Sequence, residues 1–302
     1  MRIVVLYNPV SGSGQARNLG RRVTQRLRAV GHDVLHVPSQ QRDPADWLDA
    51  HLNRAAAIVV VGGDGAVRLS AGPAARRGAA LYHVPSGTEN LFAREFGTDQ
   101  CLSRLIATLE RFETIDIDLA TANGMPFVLM ASIGFDAEVV HDLAAHRGRS
   151  ISHLSYGRPL ARQLRQWRPT ALTIEIDGAV QVDDRPGMVV IANSRQYAGR
   201  LNPAWQASMC DGLLDVVFHP MDNIAALVRT LAAHVLGRQS KLGSAVYRRG
   251  ASIRVRCARP IRYQLDGDPP EPILDGSSAG QRVDELDVSL STLKLRVLVP
   301  SP

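Results

Sequence analysis

Short, wholly apolar runs alternate with segments of helical periodicity along the first 120 residues. Ile3-Val4-Val5-Leu6 ends in a turn at Asn8-Pro9; Leu19, Val23, Leu27 and Val30 then recur at helical spacing up to Gly31. Residues 34–37 read as the next strand, and Asp43-Pro44 opens a helix with Trp47, Leu48 and Leu52 on one face. Residues 57–61 form a buried-strand pattern running into Gly62-Gly63 and a further helix. Residues 81–84 run into Pro85-Ser86-Gly87, and 100–110 are helical in pattern. Strands this apolar, separated by helices, predict a parallel, doubly wound sheet covered on both faces.

The pattern changes near residue 126. Strand candidates at 126–133, 170–177, 187–193, 213–218, 251–257 and 261–265 carry polar alternation, with helical breaks at 136–145, 151–167 and 222–236. This predicts an antiparallel, sandwich-like second domain. The expected division is an α/β domain over 1–120 and a β-rich domain over 121–289, with a last strand at about 290–300 returning to the first.

Length agrees with two domains, since 302 residues exceed what one core usually serves. No apolar run reaches the roughly 18 residues that cross a bilayer. Residues 2–7 are too short for a signal-peptide core, so a cytoplasmic protein is expected. Cys101, Cys210 and Cys257 are widely spaced and form no CxxC or zinc pattern. Net charge is +6, almost all of it arginine; Lys241 and Lys294 are the two lysines, and neither lies in a glycine-rich loop. A Walker A site is thereby excluded. Any phosphate must be held by backbone N–H groups, arginines or a metal. The basic charge suits an anionic membrane or nucleic acid, but no nucleic-acid module is recognisable, so no nucleic-acid partner is expected.

Three glycine-bearing loops carry the chemistry. Asn8-Pro9-Val10-Ser11-Gly12-Ser13-Gly14 follows the first strand, Gly62-Gly63-Asp64-Gly65 the third, and Pro85-Ser86-Gly87-Thr88-Glu89-Asn90 the fourth. In a parallel sheet all three sit beyond the carboxyl ends of strands, where ligands bind. Glycines let backbone approach phosphate oxygens, and a following helix offers unpaired N–H groups. Farther along, Asp266-Gly267-Asp268 places two carboxylates around one glycine. Such a pair serves proton transfer in phosphoryl transfer, or is a polar hairpin turn, for which Asp-Gly is a standard pair.

These loops resemble the catalytic domain of diacylglycerol and sphingosine kinases and their bacterial lipid-kinase relatives. Gly134-Phe135-Asp136-Ala137, Tyr197-Ala198-Gly199, Asp211-Gly212-Leu213-Leu214-Asp215 and Leu265-Asp266-Gly267-Asp268 continue the likeness in order, across about 8–299. The resemblance implies an NAD kinase/phosphofructokinase-like first domain and an ATP- and Mg2+-dependent lipid kinase. It implies an ATP site lined by Asn8, Pro9, Ser11 and Gly12, by Gly62, Gly63, Asp64, Gly65, Ala66 and Arg68, and by Gly87, Thr88 and Asn90, with Ser39 as a nucleotide-contacting hydroxyl. Asp64 would orient phosphate or metal. Asp268 would take the proton of the lipid hydroxyl, beside Asp266. A structural magnesium would lie on the Asp211 carboxylate and the backbone carbonyls of Ser208 and Leu213.

This chain departs from the family pattern at Ala66, Arg68, Leu69 and Leu91, and in having Asp268 where Glu is usual. Residues 147–168 hold six arginines, no Asp or Glu, and Trp167 among leucines; they suit either a peripheral membrane surface or an ordinary helix. The expected partners are ATP, a lipid acceptor and that membrane surface, with a homodimer left open. An NAD kinase-like enzyme and a non-catalytic nucleotide- or lipid-binding relative stand as alternatives.

Overall fold

The computed structural model describes all residues except 10–13, 41, 146–161, 163, 165, 239–242, 271–281 and 301–302. The chain divides into two compact units, Met1–Leu119 with Ser291–Pro302, and Ala120–Leu290.

In the first unit, β1 (Arg2–Tyr7), β2 (Asp33–Pro38), β3 (Ala57–Gly62) and β4 (Ala80–Pro85) are joined by α1 (Gln15–Ala29), α2 (Pro44–His51) and α3 (Asp64–Arg77). Then come α4 (Leu91–Phe96) and α5 (Leu102–Arg111). The final residues of β13 (Arg282–Leu298) close an all-parallel order β13-β4-β3-β1-β2. Alternation sorts the strand residues. Ile3, Val5, Val59, Val61 and Tyr82 pack with Leu19, Val23 and Leu27 of α1 and Leu105 and Leu109 of α5. The intervening Val4, Leu6, Ile58, Val60 and Leu81 are equally buried and point to the opposite face. That two-sided burial is why these strands read as continuous apolar runs. Lys294 pairs with the buried Asp118 and so serves the fold of this unit.

The second unit is antiparallel. It contains β6 (Met125–Phe127), β7 (Met130–Ile133), α6 (Phe135–Ala145), β8 (Thr170–Ile176), β9 (Ala179–Ala192), β10 (Leu214–Pro220), α7 (Ile224–Val235), β11 (Val246–Gly250) and β12 (Ser252–Leu265). β5 (Thr114–Ala122) spans the boundary of the units. The long strands β9 and β12 serve two sheets. The first half of each pairs with β8, the second half with β7. Phe127, Ile174, Val189, Ile191, Phe218, Val255, Tyr263 and Leu286 fill the core between them.

Several elements differ from the sequence reading. The run 126–133 is two strands, β6 and β7, because residues 128–129 form a break between them that is clamped by side chains, as described next. β5, β11 and the first half of β9 lack an apolar signature: they are half-exposed, and Val180-Gln181-Val182-Asp183-Asp184 alternates without a run. β13 begins at Arg282, before the expected start at about residue 290. The helix expected over 151–167 lies mostly outside the described residues.

Candidate active site

Asn8, Gly62-Gly63 and Ser86-Gly87, the described parts of the three loops, lie together at the carboxyl end of the first unit's sheet. The Asn8 N–H donates to the Val61 carbonyl at 3.1 Å, the Ser86 N–H to Gly62 at 2.7 Å, and the Ser39 N–H to Tyr7 at 2.8 Å. The approach needs glycine at position 87 and leaves little room for a Cβ at 63, which would lie 3.3 Å from the Gly87 Cα. A Cβ on Gly87 would lie 2.7 Å from the Gly63 Cα, closer than any real contact. Ala66 fits the same logic, since a Cβ on Gly62 would lie 2.7 Å from the Ala66 Cβ. Thr88 and Arg68 are half-buried beside this junction, as are Pro9, Gly65 and Asn90. Ser11 and Gly12 lie outside the described residues.

Asp64 is the fastener. Its Oδ2 accepts from the Leu91 N–H and its Oδ1 from the Phe92 N–H, both at 2.9 Å. These are orphan donors at the start of α4. Asn90, with φ of 49°, bonds the Gly87 N–H and carbonyl through its amide, each at 2.8 Å. The carboxylate expected to face phosphate or metal ties the loop after β3 to the start of α4. Below them, the buried His83 places Nε2 2.9 Å from the Gly62 carbonyl; burial holds its pKa down at about 4, so the neutral ring donates from Nε2. Gly63 caps α3 without a side-chain bond. A 14-residue helix thus begins at the glycine junction with its N-terminal partial positive charge directed there.

In the second unit, Asp266 and Gly267 both have left-handed backbone, φ of 53° and 83°. Leu265 and Asp268 exchange backbone bonds of 2.9 and 3.0 Å across them. This is the tight hairpin turn that Asp-Gly favours. The hairpin reading therefore holds. Asp266 is 4% exposed and its carboxylate accepts from Val128, Leu129 and Met130 N–H groups at 2.8–2.9 Å. Asn193 and Ser194 hold the same loop from the other side, through the Val128 and Leu129 carbonyls. Asp266, engaged by three N–H donors, is an anchor; the half-buried Asp268 follows it on the turn.

A polar chain missed by the sequence reading supports this turn. The Gly267 N–H donates to Gln264 Oε1 at 2.7 Å, Gln264 Nε2 to Ser132 Oγ at 2.7 Å, and Ser132 Oγ to Asp136 Oδ2. Tyr197 donates its hydroxyl to the same oxygen at 2.5 Å. Burial pushes the Asp136 carboxyl up, against the lowering effect of Ser132 and Tyr197. Gly134, just before it, has φ of 132° and no room for a Cβ against Met188, which fixes the start of α6. Asp136 and Tyr197 had appeared only as motif letters; Ser132 and Gln264 carry no local signal.

The turn expected to hold magnesium is arranged differently. Asp211 Oδ1 accepts from the Leu213 N–H at 3.2 Å, and Oδ2 pairs with Arg249. Arg249 Nε also lies 3.5 Å from Asp215, a buried carboxylate that receives the Tyr247 hydroxyl at 2.6 Å. The guanidinium supplies the positive charge between two acids, and a divalent ion on Asp211 would have to displace it. Asp211 with the Ser208 and Leu213 carbonyls does not fit a resident magnesium in this arrangement. Among the described residues no cluster of three His, Cys, Asp or Glu side chains offers another metal site. Trp167, for which a membrane surface and an ordinary core helix both stood open, is 5% exposed and packs edge-on against Phe135 with centroids 5.8 Å apart. Arg162 pairs with Asp142 at 2.7 Å.

Residues 2–122 match the diacylglycerol kinase catalytic domain, and residues 130–274 match the YegS C-terminal NAD kinase beta sandwich-like domain. A Pseudomonas aeruginosa protein carrying the name YegS-like lipid kinase is 30% identical over 72% of this chain and 71% of its own. The chain belongs to the diacylglycerol kinase and YegS-like lipid kinase family. A diacylglycerol kinase of Mycobacterium tuberculosis is 28% identical over 88% of each chain. The fold is shared with a crystal structure of a diacylglycerol kinase from Bacillus anthracis, at a TM-score of 0.68 and 18% identity over 100% of this chain and 97% of that one. No helix among the described residues is long and apolar enough to cross a membrane.

Proposed function

We propose that this family member transfers the γ-phosphate of MgATP to the hydroxyl of a lipid, diacylglycerol or a close relative. The observation that carries the reading is the junction of Gly63 and Gly87 at the start of α3, with Asn8 beside it. Backbone amides and a helix N-terminus gather there, with no lysine needed. Magnesium enters with the nucleotide, as part of the substrate. The lipid oxygen attacks the γ-phosphorus as its proton passes to Asp268, directly or through a water, and the bond to ADP breaks. Asp268 is the catalytic base; Asp64 and Asp266 position loops. Positioning and charge neutralisation supply most of the catalysis in phosphoryl transfer. A lipid acceptor requires the protein to work at a bilayer surface, peripherally.

The test is transfer of label from γ-labelled ATP, with magnesium, to a lipid extract or to NAD. Label in the organic phase supports the proposal. Label on NAD would assign the chain to dinucleotide phosphorylation, and ATP binding without transfer to either would make it a non-catalytic relative.

A further inference from the structure

We propose that the second unit carries a phosphate-binding cavity built from arginines, independent of the kinase reading. The cavity, of ≈ 290 Å³, lies where α6, the start of β8, the bulged middle of β12 and the start of β13 come together. Arg168, Arg259, Arg262 and Arg282 line it, and Glu138 is the one carboxylate among its described lining residues.

The arrangement costs the fold something that an anion would return. Arg262 and Arg282 are directly opposite one another in the β12–β13 ladder. Like charges facing across an antiparallel pair are destabilising. The register of β12 shifts between Arg256 and Ile261. Bulges of this kind re-aim side chains near functional sites, and this one carries Arg259. The guanidiniums are oriented mainly by neutral partners. Arg259 donates to Thr170 Oγ1 at 2.7 Å and to the Arg168 carbonyl; Arg282 donates to the Pro260 carbonyl at 3.1 Å. Carbonyls fix direction without cancelling charge. Among the described residues of the cavity, Arg262 alone has a charged partner, Glu138 at 3.1 Å. The same excess of charge is felt nearby: after burial, Arg262 and Arg282 hold the His141 pKa down.

The wall is stiff, since Trp167 is buried against Phe135. At this volume, near the lower end of the range of ligand pockets, the cavity has room for a phosphate group and part of what carries it. Planar guanidinium forks match its oxygens. The phosphate would come from a soluble compound or from the headgroup of an acidic phospholipid.

The full-length protein is titrated with inorganic phosphate at constant ionic strength, following Tm, and co-sedimented with phosphatidylglycerol or phosphatidylcholine vesicles. Variants are Arg259→Gln, Arg282→Gln and, as an outside control, Arg254→Gln. Arg282→Gln is expected to raise the unliganded Tm by relieving the facing charges, while Arg259→Gln and Arg282→Gln each weaken phosphate binding about tenfold. A parallel tenfold loss of phosphatidylglycerol binding identifies the headgroup as the source; unchanged vesicle binding identifies a soluble phosphate. The proposal is overturned by two results. One is no saturable phosphate response together with vesicle binding indifferent to Arg259→Gln. The other is losses equal to those of Arg254→Gln.

Discussion

Replacing Asp266 and Asp268 by asparagine, one at a time, separates the anchor from the base. In Asp266→Asn the retained oxygen can keep the Leu129 and Met130 N–H groups, while the new amide nitrogen faces the Val128 N–H. One charge-assisted bond is lost and two become neutral. With bonds to a charged group contributing about 1.5–3 kcal/mol and neutral ones about 1, the loss is about 2.5–7 kcal/mol. For a unit of this size that lowers Tm by roughly 5–28 °C. Asp268→Asn keeps the hairpin, whose bridge to Leu265 uses backbone atoms alone. It should shift Tm by no more than about 2 °C yet slow transfer by about 10²–10⁴-fold. Differential scanning calorimetry and the lipid-kinase assay, run on both variants, read the two effects. The reasoning fails if Asp266→Asn melts with the wild type, or if Asp268→Asn turns over at the wild-type rate.

Three further outcomes are expected. Gly87→Ala should weaken ATP binding at least tenfold in calorimetric titration, since its Cβ would lie 2.7 Å from Gly63 backbone; unaltered affinity would remove that junction from the nucleotide site. Acid should destabilise the protein through His83 and His219, whose burial holds their pKa at about 4 and about 3 against 6.5 unfolded. Both depressed values favour the neutral rings, so their contribution is complete above pH 6.5 and falls as pH drops toward 4 and 3. At pH 5 each costs roughly 2 kcal/mol, and His83→Gln should flatten the fall in Tm between pH 7.5 and 5. Asp211→Ala should leave the magnesium dependence of turnover as in the wild type, because Arg249 and not a metal neutralises that carboxylate; a raised magnesium requirement would restore the metal site.

The parallel sheet was legible because its central strands are buried on both faces, so they read as unbroken apolar runs such as Ala57-Ile58-Val59-Val60-Val61. The glycine-bearing loops were legible as turns at the carboxyl ends of strands, because Gly62-Gly63 and Pro85-Ser86-Gly87 interrupt apolar runs. What stayed hidden lies in side chain to backbone bonds between distant segments. Asp64 reaches residues 91 and 92, and Asp266 reaches 128–130. In sequence both read as open carboxylates, and their partners are featureless backbone N–H groups. The link from Gly267 through Gln264 and Ser132 to Asp136 was hidden for the same reason. Arg249 was invisible as the partner of Asp211 because strand register, which sets it opposite Asp215, is not written in composition.

The central claim is that Asp268, held on an anchored turn, deprotonates a lipid hydroxyl for transfer from MgATP. Mass spectrometry of a lipid extract incubated with the purified protein, ATP and magnesium tests it most directly, with Asp268→Asn run in parallel. The account predicts lipids heavier by one phosphoryl group with the wild type and almost none with the variant. Equal phosphorylated lipid from both proteins, or none from the wild type while it binds ATP, would contradict it.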